Sequence, residues 1–362
     1  MRKEDGFGVY VRNVGRKRVV KKLLNTLYIT TPGRYLSLDG ENIVISDKSN
    51  EIGRVPLHNL DGIISFGGNG ISPALMGKCA NNTIGLALMD RNGKFLARIE
   101  GKRNGNVLLR RKQYHIADDE FQSLGIAKNM IIGKLFNGRW VLDRMVRDHA
   151  MRIDAERFER KIDFLKESIE KASACESADS LRGVEGEAAV VYFSVFNDMI
   201  LQQKEDFVFT GRNKHPPLDR VNAMLSFAYS LATGMCAAAL ESVGLDPYVG
   251  FLHTERPGRC SLALDLVEEF RAVLCDRFVL TLINKRMIDC SAFDVREDGA
   301  VWLNDEGRRI FLQAWQTKKQ EELRHPFLDE KIQWGLLPYV QALLLSRYLR
   351  SDLDEYPPFL WK

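Results

Sequence analysis

The sequence lacks the features of secreted, disulfide-bonded or membrane-spanning proteins. Its six cysteines include no C-x-x-C pair, so the spacing predicts neither a zinc ribbon nor a thioredoxin-like redox site. No segment resembles the apolar region of a secretory signal, so secretion is not expected. It also has no run of 18 or more uncharged apolar residues, so no membrane-spanning helix is predicted. Reduced thiols and a cytoplasmic location are therefore expected, with no membrane partner.

The chain also has little net charge. It carries 52 Lys and Arg against 48 Asp and Glu, a formal charge of +4 in 362 residues. The first 19 residues hold six basic and two acidic side chains, and so account for the whole excess. An anionic partner would have to be held by local basic patches. Residues 1–20 are predicted to be a basic extension outside the fold. One hypothesis is that they are a translated upstream stretch before an alternative valine start.

Residues 21–104 are predicted to form a small β domain. Its β-rich runs are short, and Asp39-Gly40 is typical of a two-residue hairpin turn. The segment that begins at Ser72 is predicted to be a short helix, with Ser72 as N-cap and Pro73 in the first turn. The predicted strands are LNTLYITT, RYLSLDG, ENIVISD, EIGRVPL, IISFG, TIGLALMD and KFLARIEG.

Residues 105–362 are predicted to form a larger all-α domain, because the apolar spacing changes to about 3.6 residues there. The expected fold class is α+β, with the β-strand domain first. Pro216 and Pro217 are predicted to open one helix, and the tail EYPPFLWK to dock its aromatic side chains. The predicted helices span about 118–150, with Gly133 as a candidate break, then 154–174, 181–203, 217–243, 261–288, 306–324 and 330–350.

A basic stretch from Lys94 to Lys112 lies at the junction of the two predicted domains. It contains seven Lys or Arg residues against a single acid, Glu100. A charge run of this kind is most often a solvated connector. Because Tyr114 and His115 follow it, contact with phosphate groups is the alternative.

Three separate segments carry residue types that bind metal ions. Glu185 lies in SLRGVEGEAAVVYF, His253 in VGFLHTERPGR, and Asp265 and Glu268 in SLALDLVEEFR. Carboxylates with one imidazole suit a hard divalent ion, and the imidazole favours Mn²⁺ over Mg²⁺. Each residue also has a structural interpretation. A lone histidine is usually structural, and an acid in a first helical turn is stabilised by the helix dipole alone.

The spacing of the later acids predicts a shared helix face. Asp265 and Glu268 are three residues apart, and Leu266, Phe270 and Val273 fall on the broadly opposite side at 100° per residue. The helix is therefore predicted to be amphipathic, with its acids facing outward. The two glycines that flank Glu185 are unusual near a helix start, and close approach of a bulky partner is one reason to tolerate them.

These segments, together with FTGRNKHPPLDRVNAMLSFAYSLATG at residues 209–234, resemble the CRISPR-associated adaptation integrase, the universal first protein of CRISPR spacer acquisition. The resemblance extends from about Lys21 to the C-terminus. KKLLNTLYIT, LMDRNGKFLARIEG and PPFLWK are most similar to the type I-C branch. The resemblance implies an N-terminal β domain and a helical domain that holds one Mn²⁺ or Mg²⁺ ion.

The resemblance also implies catalytic roles for Glu185, His253, Asp265 and Glu268. Glu185, His253 and Glu268 are expected to bind the metal, and Asp265 either to bind it or to orient a ligand. Many relatives have aspartate at the position of Glu268. The implied activity is metal-dependent DNA integration and endonuclease cleavage, in which a DNA 3′-hydroxyl or water attacks a phosphodiester. The alternative is a DNA-binding scaffold of the same fold without catalysis.

The implied partners are double-stranded DNA, the CRISPR repeat and a second copy of the chain. The family also implies a small ferredoxin-like adaptation protein and, in the type I-C branch, an iron–sulfur exonuclease. Ser226 and Tyr229 share one side of the helix that follows Pro217, and helix packing and DNA contact are equally good interpretations of them. The candidate DNA-binding residues are Arg103, Arg110, Arg111, Arg212, Lys214, Asn222, Arg256 and Arg259.

Overall fold

The N-terminal part of the chain consists of short strands in two sheets and one helix. In the computed structural model, residues 26–60, 62–82, 84–89, 95–99, 107–214 and 216–362 are described. The elements of this part are β1 (Thr26–Ile29), β2 (Arg34–Asp39), β3 (Asn42–Asp47), β4 (Asn50–Pro56), β5 (Gly62–Phe66), β6 (Gly70–Ile71), α1 (Pro73–Asn81), β7 (Gly85–Met89) and β8 (Phe95–Ile99).

The two sheets share one apolar core. One has the order β1-β5-β7-β8, with β8 antiparallel to β7, and the other has the order β4-β3-β2-β6. The hairpin turn between β2 and β3 is confirmed, since Asp39 pairs with Asn42 and Gly40 adopts a φ of +58°. The N-cap of α1 is confirmed as well, because the Ser72 hydroxyl accepts from the Leu75 N–H at 3.2 Å.

Helices dominate the rest of the chain, so the predicted α+β class is confirmed. Two short hairpins also occur there, formed by β9 (Phe293–Val295) with β10 (Val301–Leu303) and by β11 (Glu322–Arg324) with β12 (Lys331–Gln333). The helices are α2 (Val107–Asp118), α3 (Glu120–His149), α4 (Ala155–Ala174), α5 (Ala178–Phe193), α6 (Arg220–Ser242), α7 (Ser261–Glu268), α8 (Arg277–Asn284), α9 (Asp305–Gln320) and α10 (Leu337–Leu349).

Several element boundaries differ from the predictions. Part of the basic stretch is helix α2 rather than a connector, and α3 continues through Gly133 without a break. Helix α6 begins three residues after Pro217, where the Asp219 side chain caps it. Helix α5 is capped by Ser177 and ends at Phe193. The Ser177 and Asp219 side chains determine where α5 and α6 begin, and the spacing of apolar residues does not reveal such caps.

Helix α6 is largely buried within the helical part of the chain. Its length and composition would allow it to cross a membrane, with a mean hydropathy of 1.5 over the best window, but 61% of that window is buried inside the protein. That burial is the pattern of a core helix. The six cysteines are all free thiols. The predicted domain boundaries at residues 20 and 104 lie outside the described residues, so the division into 1–20, 21–104 and 105–362 stays a prediction.

The run from Ser261 to Asn284 is not the single amphipathic helix that the sequence predicts. A π-helical segment, Arg271–Asp276, separates α7 from α8. The prediction that the acids face outward is wrong, because Asp265, Glu268 and Glu269 are all buried. Buried carboxylates are stable when hydrogen-bond donors and opposite charges surround them, and these contacts involve residues that are distant in the sequence.

The C-terminal tail docks against α3 and α7, as predicted. Tyr356 and Phe359 are buried. The Glu269 carboxylate accepts from the Tyr356 hydroxyl at 2.5 Å, from the Phe359 N–H at 2.7 Å and from the Gln341 amide at 2.9 Å. Burial raises the pKa of Glu269 to about 7 despite these donors. Asn137 of α3 bonds both the Glu269 and Phe359 carbonyl oxygens at 2.7 Å. The tail therefore fixes the position of α7 relative to α3.

Candidate metal and DNA site

The loop between α6 and α7, which carries His253, is anchored from three helices. From α2, the Gln113 side chain donates to the Asp246 and Val249 carbonyl oxygens, both at 2.8 Å. From α3, the Ser123 hydroxyl donates to the Phe251 carbonyl oxygen at 2.9 Å. From α5, Arg182 donates to the Leu252 carbonyl oxygen at 2.8 Å. These contacts hold the backbone on the N-terminal side of His253 in one position.

The Asp265 carboxylate completes the support of this loop. One of its oxygens accepts from the Phe251 N–H at 2.6 Å and the Leu252 N–H at 3.0 Å, and the other from the His253 N–H at 2.9 Å. Only glycine fits at position 250, because a Cβ there would lie 2.7 Å from Asp265 Oδ2 and 2.9 Å from the Ser261 backbone. Asp265 is wholly buried, so its oxygens are engaged within the protein.

The Asp265 carboxylate also orients the His253 ring. Nδ1 of His253 lies 2.6 Å from Oδ1 of Asp265. A carboxylate at that distance accepts a hydrogen bond from the Nδ1–H group, and in this tautomer the neutral ring has its lone pair on Nε2. Nε2 lies 3.9 Å from Oε1 of Glu268. Of the two roles open to Asp265, the geometry places it in the orienting one, behind the imidazole.

The Glu268 carboxylate is buried and ionised beside two cations. Oε1 lies 3.1 Å from Arg271 Nη1, and Oε2 lies 2.8 Å from Lys134 Nζ. Burial alone would raise the pKa of Glu268, but the charges of Arg271 and Lys134 outweigh that effect and lower the pKa to about 2. Oε2 is fully buried and has no hydrogen bond of good geometry. The Lys134 ammonium is thus the charge that this oxygen faces.

Glu185 approaches the same place from α5. Its Oε1 accepts a hydrogen bond from the Lys134 ammonium. Lys134 thus lies between the Glu185 and Glu268 carboxylates. The sequence prediction did not include Lys134, because a single lysine in a long amphipathic helix resembles any solvated lysine. The only hint in the sequence is the neighbouring Gly133, because a glycine at that position lets the α3 backbone come close to α7.

The structure brings Glu185, His253, Asp265 and Glu268 into one site, and this donor set is chemically suited to Mn²⁺ or Mg²⁺. Two carboxylates and an imidazole Nε2 held by a second carboxylate form a common pattern at metal centres. Among the described residues, no three His, Cys, Asp or Glu side chains already stand at ligand distance around one point. A cation, the ammonium of Lys134, is placed between the two carboxylates instead.

A cleft of about 1510 Å³ opens beside this site. Glu185 and Lys134 both line it, and its lining contains eight Lys or Arg residues against four Asp or Glu residues. Arg111 and Arg256 are exposed outside that lining, and Arg103 lies outside the described residues. The candidate DNA-binding residues that line the cleft are Arg110, Arg212, Lys214 and Arg259.

Asn222 was predicted to contact DNA, and the structure contradicts this. The side chain is wholly buried, and its amide group bonds Arg212 at 2.6 Å and the Gly211 carbonyl oxygen at 2.8 Å. Asn222 positions Arg212 rather than touching a ligand. Tyr229 lies between two guanidinium groups, those of Arg212 at 5.3 Å and Arg271 at 4.8 Å from its ring centre. Its hydroxyl donates to Asp276 at 2.6 Å, and its ring also lines the cleft, so both interpretations of Tyr229 stay predictions.

Comparison with known proteins gives a consistent result. A family model described as "CRISPR associated protein Cas1" matches residues 27–317. A protein of Rhodospirillum rubrum named CRISPR-associated endonuclease Cas1 2 is 51% identical over 95% of this chain and its own full length. A Chlorobaculum tepidum protein named CRISPR-associated endonuclease Cas1 1 is 47% identical over the same shares. A Geobacter sulfurreducens protein, named as a fusion of the exonuclease Cas4 with the endonuclease Cas1, is 33% identical over 92% of this chain and 60% of its own.

Solved structures show the same fold. A casposase bound to integration product has a TM-score of 0.79 and 25% identity, over 91% of this chain and 92% of the casposase. A chain from a Cas6-RT-Cas1–Cas2 complex has a TM-score of 0.79 and 22% identity, over 96% of this chain and 37% of that one. The family model and the relatives named Cas1 endonucleases place the chain in the class of CRISPR adaptation integrases. The chain belongs to the Cas1 family. The type I-C assignment stays a prediction.

Proposed function

We propose that this protein is a divalent-metal-dependent DNA endonuclease and integrase, which inserts short DNA fragments as new spacers into a CRISPR array. The observation that carries the proposal is the His253 ring, whose Nδ1 is held by Asp265 at 2.6 Å while Nε2 faces Glu268. The similarity to proteins named Cas1 endonucleases and to a casposase bound to integration product supports the reaction class.

In the proposed reaction a DNA 3′-hydroxyl attacks the phosphorus of a repeat-strand phosphodiester. One P–O bond forms, the bond to the leaving 3′-oxygen breaks, and the hydroxyl proton passes to the leaving oxygen through solvent. Attack by water instead of the hydroxyl gives cleavage. A Mn²⁺ or Mg²⁺ ion held by Glu185, His253 and Glu268 would supply Lewis-acid stabilisation of the charge on the reacting phosphate.

The protein's own residues bind and orient the DNA. Lys214, Arg259 and Arg110 line the cleft and can neutralise the phosphate backbone. Arg271 is fixed between Glu268 and the Tyr229 ring, so its guanidinium keeps one orientation beside the ligand carboxylate. Asp265 prevents the His253 ring from turning and directs the Nε2 side of the ring toward the proposed ion.

The proposed assembly follows from the chemistry and from the names of similar proteins. Integration joins two strands at separate points, so we propose that a homodimer supplies two active sites. One similar solved structure is described as a Cas6-RT-Cas1–Cas2 complex, and one similar protein is named as a fusion of Cas4 with Cas1. We propose that this chain works with a small ferredoxin-like adaptation protein, and with an iron–sulfur exonuclease if the type I-C assignment is correct, in the cytoplasm.

The proposed function is tested by nicking of a branched DNA substrate in the presence of Mn²⁺. Replacing His253 with alanine removes the nitrogen ligand, and we expect activity to fall by about 100-fold or more, since losing supporting groups at metal sites already costs 10–100-fold. The matched control is His58→Ala, which changes an exposed histidine in the N-terminal part of the chain and should retain activity. Equal nicking by wild type and His253→Ala would refute the assigned site.

The two glycines beside Glu185 provide a second test. A Cβ at Gly183 or Gly186 would meet nothing within 4 Å, so packing within the chain does not require glycine there. We expect Gly186→Ala to stabilise α5 by about 1 kcal/mol and to weaken DNA binding at the same time, because close approach of a bulky partner is the remaining reason for glycine beside Glu185.

Thermal melting and the dissociation constant for branched DNA measure the two effects of Gly186→Ala separately. The control is Gly77→Ala in α1, which also has open space around its Cβ but lies in the β region, away from the site. If Gly186→Ala gains stability and binds DNA like the wild type, close approach of DNA at α5 is ruled out.

A further inference from the structure

Lys134 joins the two carboxylates that the proposed metal would need. Its ammonium donates to Oε1 of Glu185 on α5 and lies 2.8 Å from Oε2 of Glu268 at the end of α7. The side chain is only 15% exposed, and that of Glu268 is 4% exposed. An ammonium placed this way is mostly shielded from water, so its attraction to both carboxylates is stronger than at a protein surface.

The two candidate ligand carboxylates are already neutralised. Glu185 and Glu268 contribute two negative charges, and Lys134 and Arg271 contribute two positive ones within ion-pair distance. A divalent cation that entered with Lys134 still in place would find both carboxylates paired and would repel the ammonium beside it. Binding of the ion therefore favours departure of the ammonium from the space between the carboxylates.

The backbone that carries Lys134 is held tightly, so the side chain is the part that can move. At the adjacent residue, a Cβ on Gly133 would lie 3.2 Å from Glu269 Cγ and 3.3 Å from Pro358 Cβ. Helix α3 is thus in close contact with α7 and the C-terminal tail. The four-carbon lysine side chain has rotatable bonds and borders the open cleft, which gives the ammonium a place to go.

We propose that Lys134 is an internal counter-ion that holds the Glu185 and Glu268 carboxylates together in the metal-free protein, and that the divalent cation competes with it for this position. The inference rests on the proposed function, because it requires that these carboxylates bind a metal. Lys134 thereby acts as a positioning residue, which keeps two like-charged ligands from separate helices at one point before the ion arrives.

The test is Mn²⁺ affinity, measured from the electron paramagnetic resonance signal of free Mn²⁺ without DNA, together with melting temperature with and without Mn²⁺. Lys134→Met keeps the length of the side chain and removes the charge. We expect it to bind Mn²⁺ about tenfold more tightly, a typical coupling between competing ligands, and to melt at a lower temperature than wild type only when metal is absent. Lys134→Arg should restore affinity close to that of the wild type. Lys128→Met on the same helix is the control.

The outcomes separate this inference from the proposed function. If the wild type binds Mn²⁺ and Lys134→Met binds it equally or more weakly, competition is refuted while the metal site stands. If neither the wild type nor Lys134→Met binds Mn²⁺, both proposals fail. A crystal structure of the wild-type protein with Mn²⁺ gives an answer that needs no variant, since an ammonium still bridging Glu185 and Glu268 beside the ion would also refute competition.

Discussion

Replacing Asp265 with asparagine is expected to destabilise the protein and to disable the His253 ring together. Each carboxylate oxygen accepts two hydrogen bonds, one from the Phe251 and Leu252 N–H groups and the other from the His253 N–H and Nδ1. Whichever way the new amide points, its NH₂ group faces two of these donors. Leaving two buried donors without acceptors costs roughly 2–6 kcal/mol, at about 1–3 kcal/mol each.

The same substitution should reduce Mn²⁺ affinity and DNA nicking by about 10–100-fold, the usual effect of removing a carboxylate that orients a histidine ligand. Urea denaturation gives the free energy of unfolding, and Mn²⁺ titration gives the affinity. Asp163→Asn changes an exposed acid on α4 and should alter neither quantity. If Asp265→Asn keeps the wild-type stability and Mn²⁺ affinity, the orienting role of Asp265 is wrong.

Deleting residues 356–362 is expected to leave most of the protein unfolded or insoluble. The deletion removes the buried Tyr356 and Phe359 side chains, and truncating one buried aromatic side chain typically costs 3–5 kcal/mol. It also removes two of the three donors to the buried Glu269 carboxylate. Total stabilities of proteins are only about 5–15 kcal/mol, so these losses approach the whole.

A shorter deletion separates the contributions of the tail. Removing only Trp361 and Lys362 leaves Phe359 in place and eliminates the stacking of Trp361 between Arg144, at 5.7 Å, and Arg277, at 4.4 Å. We expect a soluble protein with a lower urea midpoint, because these part-buried cation–π contacts are worth about 0.5–2 kcal/mol each and the buried Asn137 side chain loses the Trp361 N–H donor at 2.8 Å. A wild-type midpoint after the full deletion of 356–362 would show that the tail is not part of the core.

Local sequence signals predicted seven of the N-terminal strands and most of the helices correctly, since hairpin turns, N-caps and apolar periodicity act over a few neighbouring residues. The two short hairpins β9–β10 and β11–β12 were missed, because an all-α region was expected there. The Asp39-Gly40 turn and the Ser72 cap are examples. Helix α2 was missed because its charge run is typical of a connector. Its helical position depends instead on Gln113, whose bonds to Asp246 and Val249 span more than 130 residues.

The site residues were identified through resemblance to a family, and the chemistry of each residue alone did not distinguish them from structural acids. The acids of α7 were expected in solvent because their spacing fits a helix face. They are buried because Lys134, Arg271 and three backbone N–H groups reach them from other segments. Asn222 was expected to contact DNA because its side chain is polar. The sequence does not reveal that this side chain is already hydrogen-bonded to Gly211 and Arg212.

The π-helical segment Arg271–Asp276 restricts which insertions and deletions this chain can tolerate. Such a segment accommodates one residue more than the regular helix would. Losing a single residue there would rotate Phe278 by about 100° relative to Glu268. Surface loops can therefore change in length without affecting this site, whereas the number of residues between Glu268 and Phe278 cannot change without moving one of them.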